Sequence, residues 1–330
     1  MSFWIVFQKI IQLFLIVLVG FIANKLHVFD RDLREKVTAL VLNITLPGVI
    51  LSTVWGEPDL PEPGQFLLYF GMVLLFFAVQ FAFGKLAAVL IPFPQTMRSL
   101  VQFALLFSTV GFMGYPVIQA IFGQEGMFYT TMVNLPFNVL ILWAGAALLL
   151  KDKKKMLENG EISLSEEELR QEAEAAAFTG KEWKKLLLSP CILTSLIAFF
   201  FALTRLQVPG VVSEAASAIG QVTTPATMLI VGSSLAETKF RELFNNGWLY
   251  IVTALRLLAM PLIVFFVFRM MTDDMVFVGV LTILAGMPVA STGQMLAVKY
   301  RVNEGVMARV ISLSVLCCGI TIPLLAAIVT

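Results

Sequence analysis

The sequence contains few of the side chains that enzymes and metal sites use. Its 330 residues include one histidine, His27, and three cysteines, so an HExxH zinc site is excluded and no Cys-x-x-Cys pair occurs. Charged residues make up 14% of the chain, against about 25% in soluble proteins, and the net charge of +1 creates no field that would attract nucleic acid. No Walker phosphate-binding loop is present. We therefore expect no enzymatic activity, no cofactor, no metal cluster and no nucleic-acid partner.

Hydrophobic residues, in contrast, make up 58% of the chain, above the roughly 45–50% of soluble domains. A chain of this size cannot hide so much apolar surface, so most of it must face a lipid bilayer. Apolar runs of about 20 residues, the length that spans a bilayer, recur along the sequence. They lie near residues 3–22, 36–54, 66–91, 99–122, 127–150, 186–206, 212–236, 248–271, 275–300 and 303–328. The sequence predicts an all-α polytopic membrane protein with ten transmembrane helices.

The runs form two sets of five, residues 1–150 and 186–330, joined by a polar linker at 151–185. Lysine and arginine are concentrated in the connectors on the linker's side of the membrane, whereas only Arg205 and Arg269 lie at the other side. Positive residues favour the cytoplasmic side. We therefore expect a multi-pass protein of the cell membrane with a cytoplasmic linker and both termini outside.

Two short strings recur at corresponding places in the two halves. The string TLP at 45–47 matches TTP at 223–225, and GYPV at 114–117 matches GMPV at 286–289. Because each half has an odd number of spans, the second copy is inverted, as in many secondary transporters. The pattern predicts a 5+5 inverted repeat in which helices 4 and 9 are broken and cross, although two simple proline kinks would also account for it.

Broken helices free backbone groups that are tolerated in a membrane only beside protein or a water-filled cavity, and exposed helix N-termini favour anions. The polar residues near the breaks therefore suit a small carboxylate, whereas those on other spans have helix–helix hydrogen bonding as an alternative role. The candidate substrate-binding residues are Ser108, Thr109, Gly111, Gly114, Tyr115, Pro116, Pro288, Ser291, Thr292, Gln294, Asn43, Thr45 and Arg256, with Asn134 and Asn138 as further candidates.

Arg256 has two interpretations, since it lies near mid-bilayer with no acidic residue at its depth. In the first, it caps carbonyls that are freed by Pro261 or by a broken helix. In the second, it attracts the anion or neutralises it. The sequence leaves both open.

Several strings, in this order, resemble the auxin efflux carrier family in its bacterial branch of malate or malonate permeases. They are LNITLP (42–47), GFMGYP (111–116), SP (189–190), PATMLIVGSSL (225–235), RLLAMP (256–261) and MPVAS (287–291). The resemblance implies ten helices, a scaffold of helices 1, 2, 6 and 7 that is often dimeric, and a moving transport domain of helices 3–5 and 8–10. The family commonly has asparagine beside both crossovers, where this chain has Thr109 and Thr292.

The function that we expect is secondary active or facilitative transport of small organic anions, such as malate or auxin-like acids, by elevator-like alternating access. A membrane-embedded sensor, a channel and a sodium-coupled organic anion symporter of related fold are the alternatives. The coupling ion, H⁺ or Na⁺, stays open because no acidic residue lies deep in a span except Glu214, near the outer end of span 7. A homodimer through the scaffold helices is expected from the resemblance.

Overall fold

The structure is a computed structural model that describes residues 3–55, 63–161, 188–206, 208–238, 243 and 247–329. Its helices, in chain order, are α1 (Phe3–Lys25), α2 (Arg31–Leu40), α3 (Leu46–Ser52), α4 (Pro63–Leu90), α5 (Arg98–Leu106), α6 (Tyr115–Glu158), α7 (Pro190–Thr204), α8 (Gly210–Gln221), α9 (Thr223–Ala236), α10 (Gly247–Ala254), α11 (Met260–Arg269), α12 (Met275–Ala285), α13 (Thr292–Tyr300) and α14 (Glu304–Val329). Wider π-helical turns join α2 to α3 (Val41–Thr45), precede α6 (Val110–Gly114) and join α10 to α11 (Leu255–Ala259).

Local sequence sets several helix boundaries. Asp30 begins α2 and Asp274 begins α12, each with a carboxylate that accepts a hydrogen bond from a backbone N–H of the first turn at 2.9 Å. Such caps satisfy donors that have no partner within the helix. Pro190 occupies the first position of α7, where the missing N–H costs nothing, and Arg205 ends the same helix in a left-handed conformation.

Six helical stretches among the described residues are long and apolar enough to cross a membrane. They are Trp4–Lys25, Arg31–Ser52, Gly64–Leu90, Val110–Glu158, Gly247–Arg269 and Glu304–Val329. Pro190–Thr204 and Met275–Ala285 are shorter apolar helices. The predicted all-helical, multi-pass class is confirmed. The number of ten spans stays a prediction, because the other predicted spans consist of helices too short to meet the same length criterion.

Two of the predicted spans are interrupted by extended backbone. The first interruption separates α5 from the turn at Val110–Gly114, and the second separates α12 from α13. Pro288 lies within the second interruption, whereas Pro116 lies in the first turn of α6, after the first interruption has ended. Proline is tolerated in a first turn because its N–H would have no partner there. The paired strings therefore find the breaks, but Pro116 begins the second half-helix and does not itself break the first.

The helices pack into two groups. Helices α1–α3 and α7–α9, here called the glycine-crossed group, pack together, and at two of their crossings an added glycine Cβ would lie 3.0 Å or less from a neighbouring backbone atom. The remaining helices, α4–α6 and α10–α14, pack around the interruptions and are here called the interrupted group. The glycines of the close approaches are Gly20 and Gly232, between α1 and α9, and Gly48 and Gly220, between α3 and α8.

Helix α6 extends beyond the predicted start of the linker at residue 151. The chain bends at Gly123, where φ is +67°, and then stays helical as far as Glu158. Asp152 is fully buried, and its carboxylate accepts hydrogen bonds from the backbone N–H of Ser99 at 3.0 Å and of Leu100 at 2.7 Å. The beginning of the linker is therefore packed against the start of α5, and linker residues 162–185 lie outside the described residues.

Candidate functional site

The two interruptions meet as a pair of short extended segments. Ser108 and Val289 form an antiparallel bridge. Thr109 donates its backbone N–H to the carbonyl of Pro288 at 2.8 Å, and Ala290 donates to Phe107 at 3.0 Å. Each segment thus satisfies backbone groups that the other leaves without helical partners, which is what a broken helix needs in a bilayer.

Side chains complete the hydrogen bonding of the crossing. The Thr109 hydroxyl donates to the carbonyl of Val289 at 3.0 Å. The N–H of Val289 donates to Oγ of Ser314 at 3.1 Å, and that hydroxyl donates to the carbonyl of Ile311 at 2.7 Å. Ser314 is fully buried on α14. The crossing is therefore fixed to a helix outside the pair of interrupted spans.

Arg256 lies on one side of the crossing and is 0% exposed. Its Nε donates to the carbonyl of Met287 at 3.1 Å, and its Nη1 donates to the carbonyl of Leu105 and, at 3.0 Å, to Oε1 of Gln80. Leu105 is in the last turn of α5 and Met287 lies two residues after the end of α12, so both carbonyls are at helix C-terminal ends, which have partial negative charge. Arg256 therefore caps carbonyls freed by both interruptions, as in the first interpretation from the sequence.

A cavity of about 60 Å³ lies beside the same crossing. The turn that starts at Val110 and the helix that starts at Thr292 both line it, so their partial positive ends face an anion in the cavity. At the start of the second helix the N–H groups of Gly293 and Gln294 already donate to Ala290 and Ser291, so the N–H group of Thr292 is the donor left there for an anion. The lining residues are Leu42, Leu46, Thr109, Val110, Gly111, Phe112, Asn134, Phe137, Asn138, Cys191, Ala290, Ser291 and Thr292.

Asn134 is the most informative polar residue of the lining. It is 2% exposed, and its Nδ2 has no hydrogen-bond partner among the described residues. Its backbone carbonyl accepts a hydrogen bond from Nδ2 of Asn138 at 2.8 Å. A buried donor without a partner costs about 1–3 kcal/mol, which a ligand with acceptor oxygens would recover.

The structure brings together only part of the predicted site. The predicted residues that line the cavity are Thr109, Gly111, Ser291, Thr292, Asn134 and Asn138. The predicted residues outside the lining are Ser108, Gly114, Tyr115, Pro116, Pro288, Gln294, Asn43, Thr45 and Arg256.

Most residues outside the lining have structural contacts. Asn43 is exposed and donates to the carbonyl of Ala39 at 2.7 Å, one helical turn earlier. The Tyr115 hydroxyl pairs with that of Thr131 at 3.1 Å within the core. At Gly114 an added Cβ would lie 2.8 Å from the side chain of Leu284, so glycine is needed for close packing there.

Sequence reasoning missed the apolar wall of the cavity and the supports of the crossing. Leu42 and Leu46 are spaced i and i+4, a pattern that places them on one helix face and was readable in advance. Cys191, Gln80 and Ser314 carry no such signal, because each reaches the site from a helix that is distant in sequence.

The sequence matches the model of the membrane transport protein family over residues 5–326, and this is the auxin efflux carrier family. The chain belongs to this family. Comparison with curated proteins found no match. The chain is therefore a multi-pass membrane transporter, and its family is one of transporters rather than of enzymes. The predicted family is confirmed, and the assignment to its bacterial branch stays a prediction.

Proposed function

We propose that this transporter carries small organic anions and binds them in the cavity beside the crossing. The observation that carries the proposal is the convergence of two helix N-termini on a cavity that also contains the unpartnered, buried amide of Asn134. Carboxylate oxygens accept hydrogen bonds both from backbone N–H groups and from a side-chain amide. The described residues of the lining include no acidic side chain that would repel an anion.

The cavity favours a short aliphatic acid over an aromatic one. Its volume of about 60 Å³ is below the roughly 150 Å³ of a cavity that holds benzene, so any of these acids requires the cavity to widen, and a bicyclic aromatic ring requires a larger widening than a short aliphatic acid does. Thr292 offers a hydroxyl where the family commonly has an amide, whereas the Thr109 hydroxyl already donates to the carbonyl of Val289, and Asn134 supplies an amide from α6. Malate and malonate are therefore better first candidates than auxin-like acids.

The arrangement of the two helix groups supports alternating access of the elevator kind. Leu42, Leu46 and Cys191 reach the cavity from the glycine-crossed group, whereas Thr109, Asn134 and Thr292 reach it from the interrupted group. A shift of the second group along the first would carry the anion across the cell membrane. In this proposal the glycine-crossed group is the scaffold and the dimer interface, and H⁺ and Na⁺ are the coupling ions to test.

The same proposal includes ten spans in two inverted repeats and both termini outside. Its topology is tested with single cysteines at Lys154 and Arg205 in a background without the native cysteines. An impermeant thiol reagent should label the two positions from opposite sides of the membrane. Labelling of both from one side would refute the topology.

Transport itself is tested with purified protein in liposomes. We expect saturable uptake of radiolabelled malonate or malate that internal unlabelled acid accelerates, because a carrier exchanges substrate and a channel does not. Asn134→Ala should reduce this exchange severalfold, whereas Asn159→Ala, which removes an exposed amide at the end of α6, should not. Folded protein that transports no carboxylate from a panel of short and aromatic acids would refute the proposal.

A further inference from the structure

We propose that Arg256 determines the preference of the cavity for anions, through a positive charge that Gln80 holds in place without neutralising it. This inference rests on the function proposed above. It assigns the residues that would set the charge selectivity of the same site.

Every partner of the buried guanidinium is neutral. Arg256 donates to two backbone carbonyls and to the amide oxygen of Gln80, and its Nη2 has no partner among the described residues. None of the ion pairs between described residues includes Arg256. A charge buried in this way is costly in a membrane and is usually paired with an opposite charge. A bound anion would supply that opposite charge.

The carbonyls that accept hydrogen bonds from the guanidinium belong to the same two stretches of chain that line the cavity. Leu105 and Met287, which accept its hydrogen bonds, are each four residues before a lining residue, Thr109 and Ser291 respectively. Four extended residues span at most about 13 Å, so each acceptor carbonyl lies within that length of chain of the cavity lining. For a unit charge about 13 Å from the anion, an effective dielectric constant of about 20 gives about fivefold to tenfold stronger binding.

Substitution of Gln80 offers a way to test the role of the Arg256 charge. Its Oε1 accepts the hydrogen bond from Nη1 at 3.0 Å, and its side chain is fully buried on α4. Glutamate has nearly the same shape and would keep this hydrogen bond, but it would form an ion pair with Arg256. Gln80→Glu therefore cancels the charge while it leaves the position of the guanidinium unchanged.

The experiment measures binding of malonate and of its uncharged analogue malonamide to the purified full chain. We expect Gln80→Glu to raise the apparent dissociation constant for malonate about fivefold to tenfold, with no loss of thermal stability. Gln95→Glu, which adds the same charge at an exposed position in the connector between α4 and α5, should leave it unchanged. A Gln80→Glu protein with wild-type affinity for malonate would overturn the inference.

Two substitutions of Arg256 separate charge from geometry and serve also if Gln80→Glu does not fold. Arg256→Lys keeps the charge and should keep the affinity for malonate within about threefold, whereas Arg256→Gln should lose about fivefold to tenfold. Equal losses in both variants would overturn the inference, because geometry alone would then explain them. If the wild-type protein bound no carboxylate at all, the proposed function would fail instead.

Discussion

The two helix groups hold together by different physical means. In the glycine-crossed group, Gly20 and Gly232 bring the backbones of α1 and α9 into direct contact, and the side-chain hydrogen bond from Asn24 to Ser233, at 3.1 Å, lies near the ends of these two helices. In the interrupted group, Arg256 and Ser314 place hydrogen bonds at the centre.

The difference follows from what each group leaves unsatisfied. Helices without an extended interruption leave few backbone groups free in the bilayer, so close van der Waals packing between small residues is enough to join them. Interrupted helices expose N–H and C=O groups that must be bonded within the protein. We infer that the first group is built for rigid packing and that the polar chemistry of transport is confined to the second.

The largest effect is expected at the closest helix crossing. An added Cβ at Gly232 would collide with the carbonyl of Val17, which is backbone and cannot rotate away. Gly232→Val should therefore lower the free energy of unfolding by about 3 kcal/mol or more, as measured by thermal unfolding in detergent. Gly71→Val, on α4 with nothing near its Cβ position, is the control. Equal stability of both variants would contradict the close contact.

The second effect is expected when a central hydrogen bond of the interrupted group is removed. Ser314→Ala removes the acceptor of the Val289 N–H and leaves a buried donor without a partner. Such a loss costs about 1–3 kcal/mol. We expect a lower unfolding temperature together with weaker carboxylate binding, because the crossing segment would be less well fixed. Ser234→Ala, at an exposed position of α9, should change neither quantity.

How much of this was readable in the sequence depends on the range of each interaction. The interruptions and the lining by Thr109 and Thr292 were predictable, because glycine and proline act on the backbone within a few residues and the same string marks both breaks. The exact break before Pro116 was not, since the extended segment is stabilised by its partner and not by proline. Gln80, Ser314 and Cys191 join the site through tertiary packing, which leaves no local pattern.

The third effect concerns the interrupted group and should change binding without changing stability. Thr292 lies at the start of α13 and lines the cavity, with no role in the crossing that the described hydrogen bonds reveal. Thr292→Val keeps the shape and removes the hydroxyl, so carboxylate binding should weaken about tenfold, in line with the roughly 1.5 kcal/mol of a hydrogen bond to a charged group. Thermal unfolding should be unchanged. Wild-type affinity in this variant would move the site elsewhere.

The smallest effect concerns the connection between the linker and the interrupted group. The Asp152 carboxylate accepts the N–H groups of Ser99 and Leu100, so it acts as a distant N-terminal cap for α5. Asp152→Ala should cost about 1 kcal/mol of stability, a typical value for a lost cap. Asp152→Asn keeps one good acceptor oxygen and should cost less.

The informative measurement is whether malonate binding falls together with stability when the Asp152 cap is removed. The last turn of α5 contains the Leu105 carbonyl that Arg256 caps. Loosening the start of α5 therefore affects the crossing only if the nine residues of Arg98–Leu106 move as one rigid unit. In that case Asp152→Ala weakens malonate binding as well as stability. If the helix frays only at its start, stability falls and binding stays at the wild-type value. Binding affinity measured beside the unfolding temperature therefore shows whether the linker end of α6 is coupled to the substrate site.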